Sequence, residues 1–165
     1  MLFRSGKGLR AGGPVAKQYA PLLGRPLLAH TIEALAHLGA PIQPVIGPDD
    51  ATYFAEVQSA LSAKTHALCL QPVIGGETRQ ASVLKGLEAL AAKPPNIILI
   101  QDGARCHPSP DLLVRAVQAA RDYGAAIPGL AVSDTIKQVD DTGFVSHTPE
   151  RATLRAVQTP QSFTY

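Results

Sequence analysis

Ile97-Ile98-Leu99-Ile100-Gln101-Asp102-Gly103-Ala104-Arg105 passes abruptly from an unbroken apolar run into a polar turn. Such a run suits a strand covered on both faces, as in a parallel sheet with helices above and below it. Pro94-Pro95 stops whatever precedes the run. After it, Ser109 and Pro110 carry the cap and first-position signals of a helix whose apolar stripe is Leu113, Ala116, Val117 and Ala120, ended by Gly124. Strand, polar turn, helix is therefore the unit to look for on either side.

Upstream, residues 67–73 read as a strand leading into Gly75-Gly76-Glu77-Thr78-Arg79 and a helix with Val83, Leu84, Leu87, Leu90 and Ala91 apolar. Residues 42–46 form a shorter apolar run, and Pro44 within it predicts an edge position or a strand end. Asp49 or Asp50 then caps a helix reaching about Leu61. Leu28, Ile32, Leu35 and Ala36 recur at helical spacing over residues 27–38, closed by Gly39 and Pro41. Downstream, residues 125–132 predict one strand. Residues 135–139 and 143–147 flank Asp140-Asp141-Thr142 as a β-hairpin arm, and residues 154–157 return as a last strand. The alternation implies an α/β fold built on a mostly parallel sheet with right-handed crossovers. Ligands of such sheets bind beyond the carboxyl ends of the strands, where residues 75–79 and 102–105 should lie.

Gly6-Lys7-Gly8-Leu9-Arg10-Ala11-Gly12-Gly13-Pro14-Val15-Ala16-Lys17-Gln18-Tyr19 is the third polar segment assigned to that edge. Glycines such as Gly6 and Gly8 let backbone N–H groups turn toward an anion, and Lys7, Arg10 and Lys17 supply charge suited to a triphosphate. The spacing matches neither GxxxxGK[ST] nor GxGxxG, and the stretch equally fits a solvated turn. Asp102, at a strand tip, is placed to give one oxygen to Mg²⁺, or to form a turn before Gly103. Arg105 suits either a structural pair with Asp102 or a phosphate. Glu77, Arg79 and Ser82 open a helix, where free N–H groups favour anions and a hydroxyl reads a base edge; capping alone also explains them. Asp134-Thr135-Ile136-Lys137 and Arg151 bracket the hairpin and suit a phosphorylated acceptor or plain solvation.

Composition excludes other classes. Over 165 residues, 45% hydrophobic and 17% charged is an ordinary globular balance for about one domain. A formal net charge of +2 is too small for a general nucleic-acid binder. No run approaches a membrane span, and Met1-Leu2-Phe3-Arg4-Ser5 lacks a signal-peptide core, so a cytoplasmic address is expected. Cys69 and Cys106 are far apart and read as reduced thiols rather than a zinc pair. The five histidines form no HxxxH and no triad, and Ser82 and Ser162 lack a GxSxG elbow, so hydrolase chemistry has no motif.

Read together, the Gly6 to Tyr19 segment, then GRPLLAHTIEAL, GGETRQASVLKGL, ILIQDGAR, VSDTIKQV and TPQSF resemble the 2-C-methyl-D-erythritol 4-phosphate cytidylyltransferase family, in the family's order. The resemblance implies a Rossmann-like fold of the nucleotide-diphospho-sugar transferase type with a projecting hairpin arm. It also implies transfer of a cytidylyl group from CTP to a sugar-alcohol phosphate with Mg²⁺. Carried over by position, Arg10 and Lys17 are the cations of the α-phosphate transition state. Gly76, Glu77 and Ser82 lie on the cytosine-recognition segment, and Asp102 with Gly103 at the strand end that meets ribose and metal. Thr135 and Arg151 hold the acceptor phosphate across a homodimer formed through the arm. A cytidylyltransferase for another polyol phosphate, such as ribitol 5-phosphate, shares this loop chemistry. A non-catalytic nucleotide-binding fragment is the rival from another class.

Three departures from the family's pattern matter. The family opens on an apolar strand ending in Ala-Ala-Gly, for which Met1-Leu2-Phe3-Arg4-Ser5 has too few apolar residues, so that strand is expected to be missing or rebuilt. Tyr165 precedes the family's Thr-Asp-Glu segment and a later lysine-bearing strand. The expected unit is thus one nucleotidyltransferase domain over residues 1–165, incomplete at both ends, with residues 133–151 as the arm. Cys106 also stands where the family usually has proline.

Overall fold

The computed structural model describes the backbone of residues 2–4 and all atoms of residues 15–165. The elements, in chain order, are β1 (Leu2–Arg4), β2 (Pro21–Leu22), β3 (Arg25–Pro26), α1 (Leu27–Leu35), β4 (Gln43–Ile46), α2 (Ala51–Ser59), α3 (Ala63–Leu68), β5 (Val73–Ile74), α4 (Arg79–Leu90), β6 (Ile97–Asp102) and α5 (Pro110–Tyr123). There follow β7 (Ala125–Ala126), β8 (Gly129–Ala131), β9 (Gln138–Val139), β10 (Val145–His147), β11 (Arg155–Val157) and β12 (Gln161–Thr164). Short 3₁₀ turns occupy Lys17–Tyr19, Ala36–Leu38 and Arg151–Thr153.

The central sheet has the order β5-β4-β1-β6-β12-β7. Its first four strands run parallel, and β12 is inserted antiparallel between β6 and β7. This is the mostly parallel α/β architecture that the sequence predicts. The apolar strands divide their side chains between two layers, as alternation requires. Ile46 of β4 and Leu99 of β6 join Leu28, Ile32, Leu35, Phe54, Val57 and Leu113 on the face covered by α1, α2 and α5. Val45, Ile98 and Ile100 face the other way, onto Leu90, Val83 and Leu87 of α4.

Local signals account for several boundaries. Ser109 Oγ accepts from the Leu112 N–H at 3.2 Å with Pro110 in the first turn of α5, and Thr78 Oγ1 accepts from the Ala81 N–H at 3.1 Å to cap α4. Gly39 ends the first helical segment at φ 62°, a left-handed value that glycine adopts without steric cost.

Four expectations are corrected. Leu2–Arg4 is a strand, in the middle of the sheet between β4 and β6, so the opening strand expected to be missing or rebuilt is present and pairs on both sides. Pro44 lies in the interior strand β4, so the edge position is not taken; it stands near the start of that strand, ahead of Val45 and Ile46, where the pairing with β5 begins. Residues 67–73 are not one strand: α3 continues to Leu68, Cys69 makes a single bridge to Ile42, and β5 begins at Val73. Residues 125–132 split at Ile127-Pro128 into β7 of the central sheet and β8, which pairs with β11 instead. The hairpin β9–β10 closes as expected, and β8–β11 extends its base, so the arm runs from Gly129 to Val157.

Glu33 of α1 fastens α3 and the β3 region together. Its carboxylate accepts from the Ser62 N–H at 2.6 Å, the Thr65 hydroxyl at 2.5 Å and the Ser62 hydroxyl at 3.2 Å, and pairs with Arg25 at 3.5 Å. Burial acts to raise the Glu33 pKa, but the bonds from Ser62 and Thr65 and the Arg25 charge outweigh it and hold the pKa below the usual value. A depressed folded pKa stabilises the fold above the unfolded value, and that contribution disappears as pH falls through the folded one. The stability advantage of the wild type over Glu33→Gln, measured by urea unfolding, is therefore expected to be full at neutral pH and to disappear as the pH falls through the lowered folded-state pKa. A difference independent of pH would contradict this role.

Candidate active site at the carboxyl edge of the sheet

Parallel register brings three polar segments to one edge. Arg4, the last residue of β1, is aligned with both Asp102 and Val45, and Ile46 with Ile74, so the chain leaves β1, β4, β5 and β6 on the same side. Gly6, Lys7, Gly8 and Arg10, expected to cradle and activate a triphosphate, lie outside the described residues. They follow directly on the β1 end that is level with Asp102.

Lys17 is described. It is exposed and is followed by Gln18 and Tyr19, which are buried and anchor its turn. The Tyr19 hydroxyl donates to Asp50 Oδ2 at 2.9 Å, and the Tyr19 ring stacks on Tyr53 at a centroid distance of 5.3 Å. Asp50 is in the loop leaving β4, where it also accepts from the Gly47 N–H at 3.0 Å. The turn that carries Lys17 is thus tied to the loop leaving the carboxyl end of β4, the sheet edge at which β6 ends in Asp102.

The segment after β5 is shaped by close packing. Ser82 is 2% exposed, and its hydroxyl lies 2.9 Å from the Thr78 carbonyl and 3.0 Å from the Gly76 carbonyl. With one proton to give, it holds the loop in place. Glu77, between them, is exposed. A Cβ on Gly76 would come within 2.5 Å of Ala81 Cβ and 3.2 Å of its carbonyl carbon. Gly76→Ala should therefore displace the loop or the first turn of α4 and cost about 1–3 kcal/mol in urea unfolding. Unchanged stability would show that the close approach is relieved at no cost.

Asp102 projects from the tip of β6, with its side chain 38% exposed. Arg105 Nε lies 3.2 Å from Oδ2 and Arg79 Nη2 3.6 Å from Oδ1, so the structural pair with Arg105 foreseen as one alternative is formed. Gln101, 1% exposed, braces the turn by donating from Nε2 to the Arg105 carbonyl at 2.8 Å. Gly103 is buried, and its carbonyl accepts from the Thr31 hydroxyl of α1 at 2.8 Å. Among the described residues no group of three or more His, Cys, Asp or Glu side chains gathers to hold a metal. A divalent ion would meet here one carboxylate and take its other ligands from water and phosphate, the pattern magnesium favours. Burial pushes the Cys69 thiol up to about 11, and both cysteines are unpaired.

Thr135 and Arg151 lie on the exposed arm. Arg151 donates from Nη1 to the Ser133 carbonyl at 2.8 Å, and Arg151 and Arg155 line a shared hollow with Val132, Ser133 and Glu150. Thr135 is not part of that lining. Arg155 had no signal in the sequence: it sits in a short exposed strand and meets Arg151 only through the turn Arg151–Thr153.

Known proteins resemble this chain along its full length. Residues 1–165 match the family described as IspD, 2-C-methyl-D-erythritol 4-phosphate cytidylyltransferase. The bifunctional enzyme IspD/IspF of Rhodopseudomonas palustris strain TIE-1 is 48% identical over 168 residues, covering 100% of this chain and 40% of that protein. The same-named enzyme of Nitrobacter winogradskyi is 46% identical over 165 residues, covering 99% and 40%. The solved 4-diphosphocytidyl-2C-methyl-D-erythritol synthase of Anaerococcus prevotii superimposes with a TM-score of 0.80 at 26% identity, covering 99% of this chain and 69% of that one. The 2-C-methyl-D-erythritol 4-phosphate cytidylyltransferase of Thermus thermophilus gives 0.68 at 30% identity with the same coverage. The chain spans 40% of the length of the curated relatives it matches.

Proposed function

We propose that this chain, which belongs to the 2-C-methyl-D-erythritol 4-phosphate cytidylyltransferase family, joins the cytidylyl group of CTP to the phosphate of 2-C-methyl-D-erythritol 4-phosphate and releases pyrophosphate. The observation that carries the reading is the common edge. The end of β1 is level with Asp102, the Gly75-Gly76-Glu77 loop leaves β5 on that side, and Tyr19 ties Lys17 to the loop after β4. A nucleoside triphosphate laid over such an edge meets cations at its phosphates and backbone groups at its base.

In this mechanism an acceptor phosphate oxygen attacks the α-phosphorus of CTP, the bond to the β-phosphate oxygen breaks, and pyrophosphate departs. No covalent enzyme intermediate is needed. Lys17 and Arg10 stabilise the charge that grows on the α-phosphate oxygens, an effect strongest when the cations are held in place beforehand. Glu77 and the Gly76 backbone face the base, and Ser82 keeps their loop in shape. Asp102 is the residue that would hold Mg²⁺ together with substrate phosphates; the ion, when bound, neutralises the triphosphate and aligns its leaving group. Thr135 and Arg151 take the acceptor phosphate, with Arg155 beside Arg151. The arm also leaves Val139, Phe144 and Val145 at 55%, 75% and 58% exposure, apolar surface that suits pairing with a second copy. The two unpaired cysteines fit a reducing, cytoplasmic setting.

Pyrophosphate release measured with CTP, Mg²⁺ and each acceptor in turn tests the reading. Turnover with 2-C-methyl-D-erythritol 4-phosphate should exceed that with ribitol 5-phosphate. Equal or greater kcat/KM with ribitol 5-phosphate would reassign the acceptor. CTP binding in a calorimeter without pyrophosphate from either acceptor would make the chain a binding module.

A further inference from the structure

The arm joins the central sheet through two short links. On one side Ile127-Pro128 separates β7 from β8; on the other, Gln158-Thr159-Pro160 separates β11 from β12. Each link connects strands of different sheets, and the backbone bond between them, from the Gln158 N–H to the Pro128 carbonyl at 2.8 Å, joins the links to each other rather than to the central sheet. The second link is instead fastened by side chains to the tip of β6. Arg105 Nη1 donates to Gln158 Oε1. The Asp102 N–H meets Thr159 Oγ1 at 3.4 Å, and Arg79 Nη2 donates to Gln161 Oε1 at 3.0 Å. The two arginines also take one oxygen each of the Asp102 carboxylate. One guanidinium comes from the turn after β6 and the other from the first turn of α4, immediately beyond the Gly76-Glu77-Thr78 loop.

We propose that Arg79 and Gln161 are positioning residues that, with Arg105 and Gln158, clamp the root of the arm to the strand end carrying Asp102. The clamp fixes the arm, and Thr135, Arg151 and Arg155 on it, relative to the sheet of its own chain, and so sets where the arm presents them across a dimer. This rests on the function proposed above for its link to catalysis, and on the structure alone for its link to the arm. Each exposed ion pair on its own is weak. Their effect comes from convergence on a single link, and a planar guanidinium is suited to bridging a carboxylate and an amide at once.

Two readouts separate the parts. Amide hydrogen exchange across residues 155–161, in the protein without substrates, should accelerate about tenfold in both Arg79→Ala and Gln161→Ala, with the double variant no faster than the faster single one. In turnover assays the KM for the acceptor should rise about tenfold in each variant, while in Gln161→Ala, which leaves both guanidinium partners of the Asp102 carboxylate in place, the KM for CTP stays within about twofold. Unchanged exchange overturns the clamp. Faster exchange with an unchanged acceptor KM overturns its role in positioning the arm. Faster exchange in a protein whose wild type releases no pyrophosphate leaves the clamp standing and removes the proposed function instead.

Discussion

Lys17→Ala is expected to lower kcat about 10²–10³-fold, the loss typical of removing one preorganised group that stabilises transition-state charge. The structure argues that this loss comes without unfolding. Lys17 is exposed, whereas the anchoring is done by its neighbours: Gln18 is 3% and Tyr19 7% exposed, and the Tyr19 hydroxyl is bonded to Asp50. Truncating an exposed side chain of this kind shifts stability by no more than about 0.5 kcal/mol. Steady-state kinetics and a urea titration on the same preparation check both halves. A variant with wild-type kcat would show that the transition-state charge is met elsewhere. A variant with low kcat and much-reduced stability would make Lys17 a folding residue.

Phe54→Ala is expected to destabilise the protein by about 3–5 kcal/mol, because it empties the largest fully buried side chain of the core. Total stability for a domain of this kind is about 5–15 kcal/mol, so the variant should be close to marginal. Phe54 belongs to the same cluster as Tyr19, Leu28, Ile32 and Leu113, and α2 packs on the Lys17–Tyr19 turn. The cavity therefore lies under the anchor of Lys17 as well as in the core, and kcat should fall in the folded fraction too. Urea unfolding followed by circular dichroism measures the first effect. A loss under about 1 kcal/mol would mean that the α2 layer collapses to fill the space.

What the sequence made legible follows from how local its signals are. Residues 97–100, the Ser109-Pro110 start of α5 and the helix α4 are decided within a turn or two of chain and stand where their patterns imply, although of the apolar stripe read for α4 only Val83, Leu87 and Leu90 reach the core and Leu84 and Ala91 are exposed. Residues 67–73 misled because α3 is held from a distance: Glu33, far away in sequence, accepts from Ser62 and Thr65 and keeps that helix formed through Leu68. Pro44 is tolerated in an interior strand because the pairing with β5 begins only at Val45, a register that propensity does not report. β12 went unseen since Gln161-Ser162-Phe163-Thr164 is short and half polar; it is a strand because β6 and β7 leave a slot, in which Ser162 is fully buried and donates to the Ala126 carbonyl at 3.0 Å.

The site divides the same way. Strand-end loops are legible, since topology sends every carboxyl end of a parallel sheet to one edge. Arg79, Gln158 and Gln161 meet around Asp102 only through the antiparallel insertion of β12, and Arg155 meets Arg151 only through the arm's base. No spacing along the chain announces such pairings.

The most direct measurement is amide hydrogen exchange with and without CTP in magnesium buffer. Lys17 and its turn, residues 75–78 and residues 102–105 should all become protected together, because one triphosphate lies across the edge they share. Protection confined to the arm, or to a single one of the three segments, would contradict a nucleotide bound over the carboxyl end of β6.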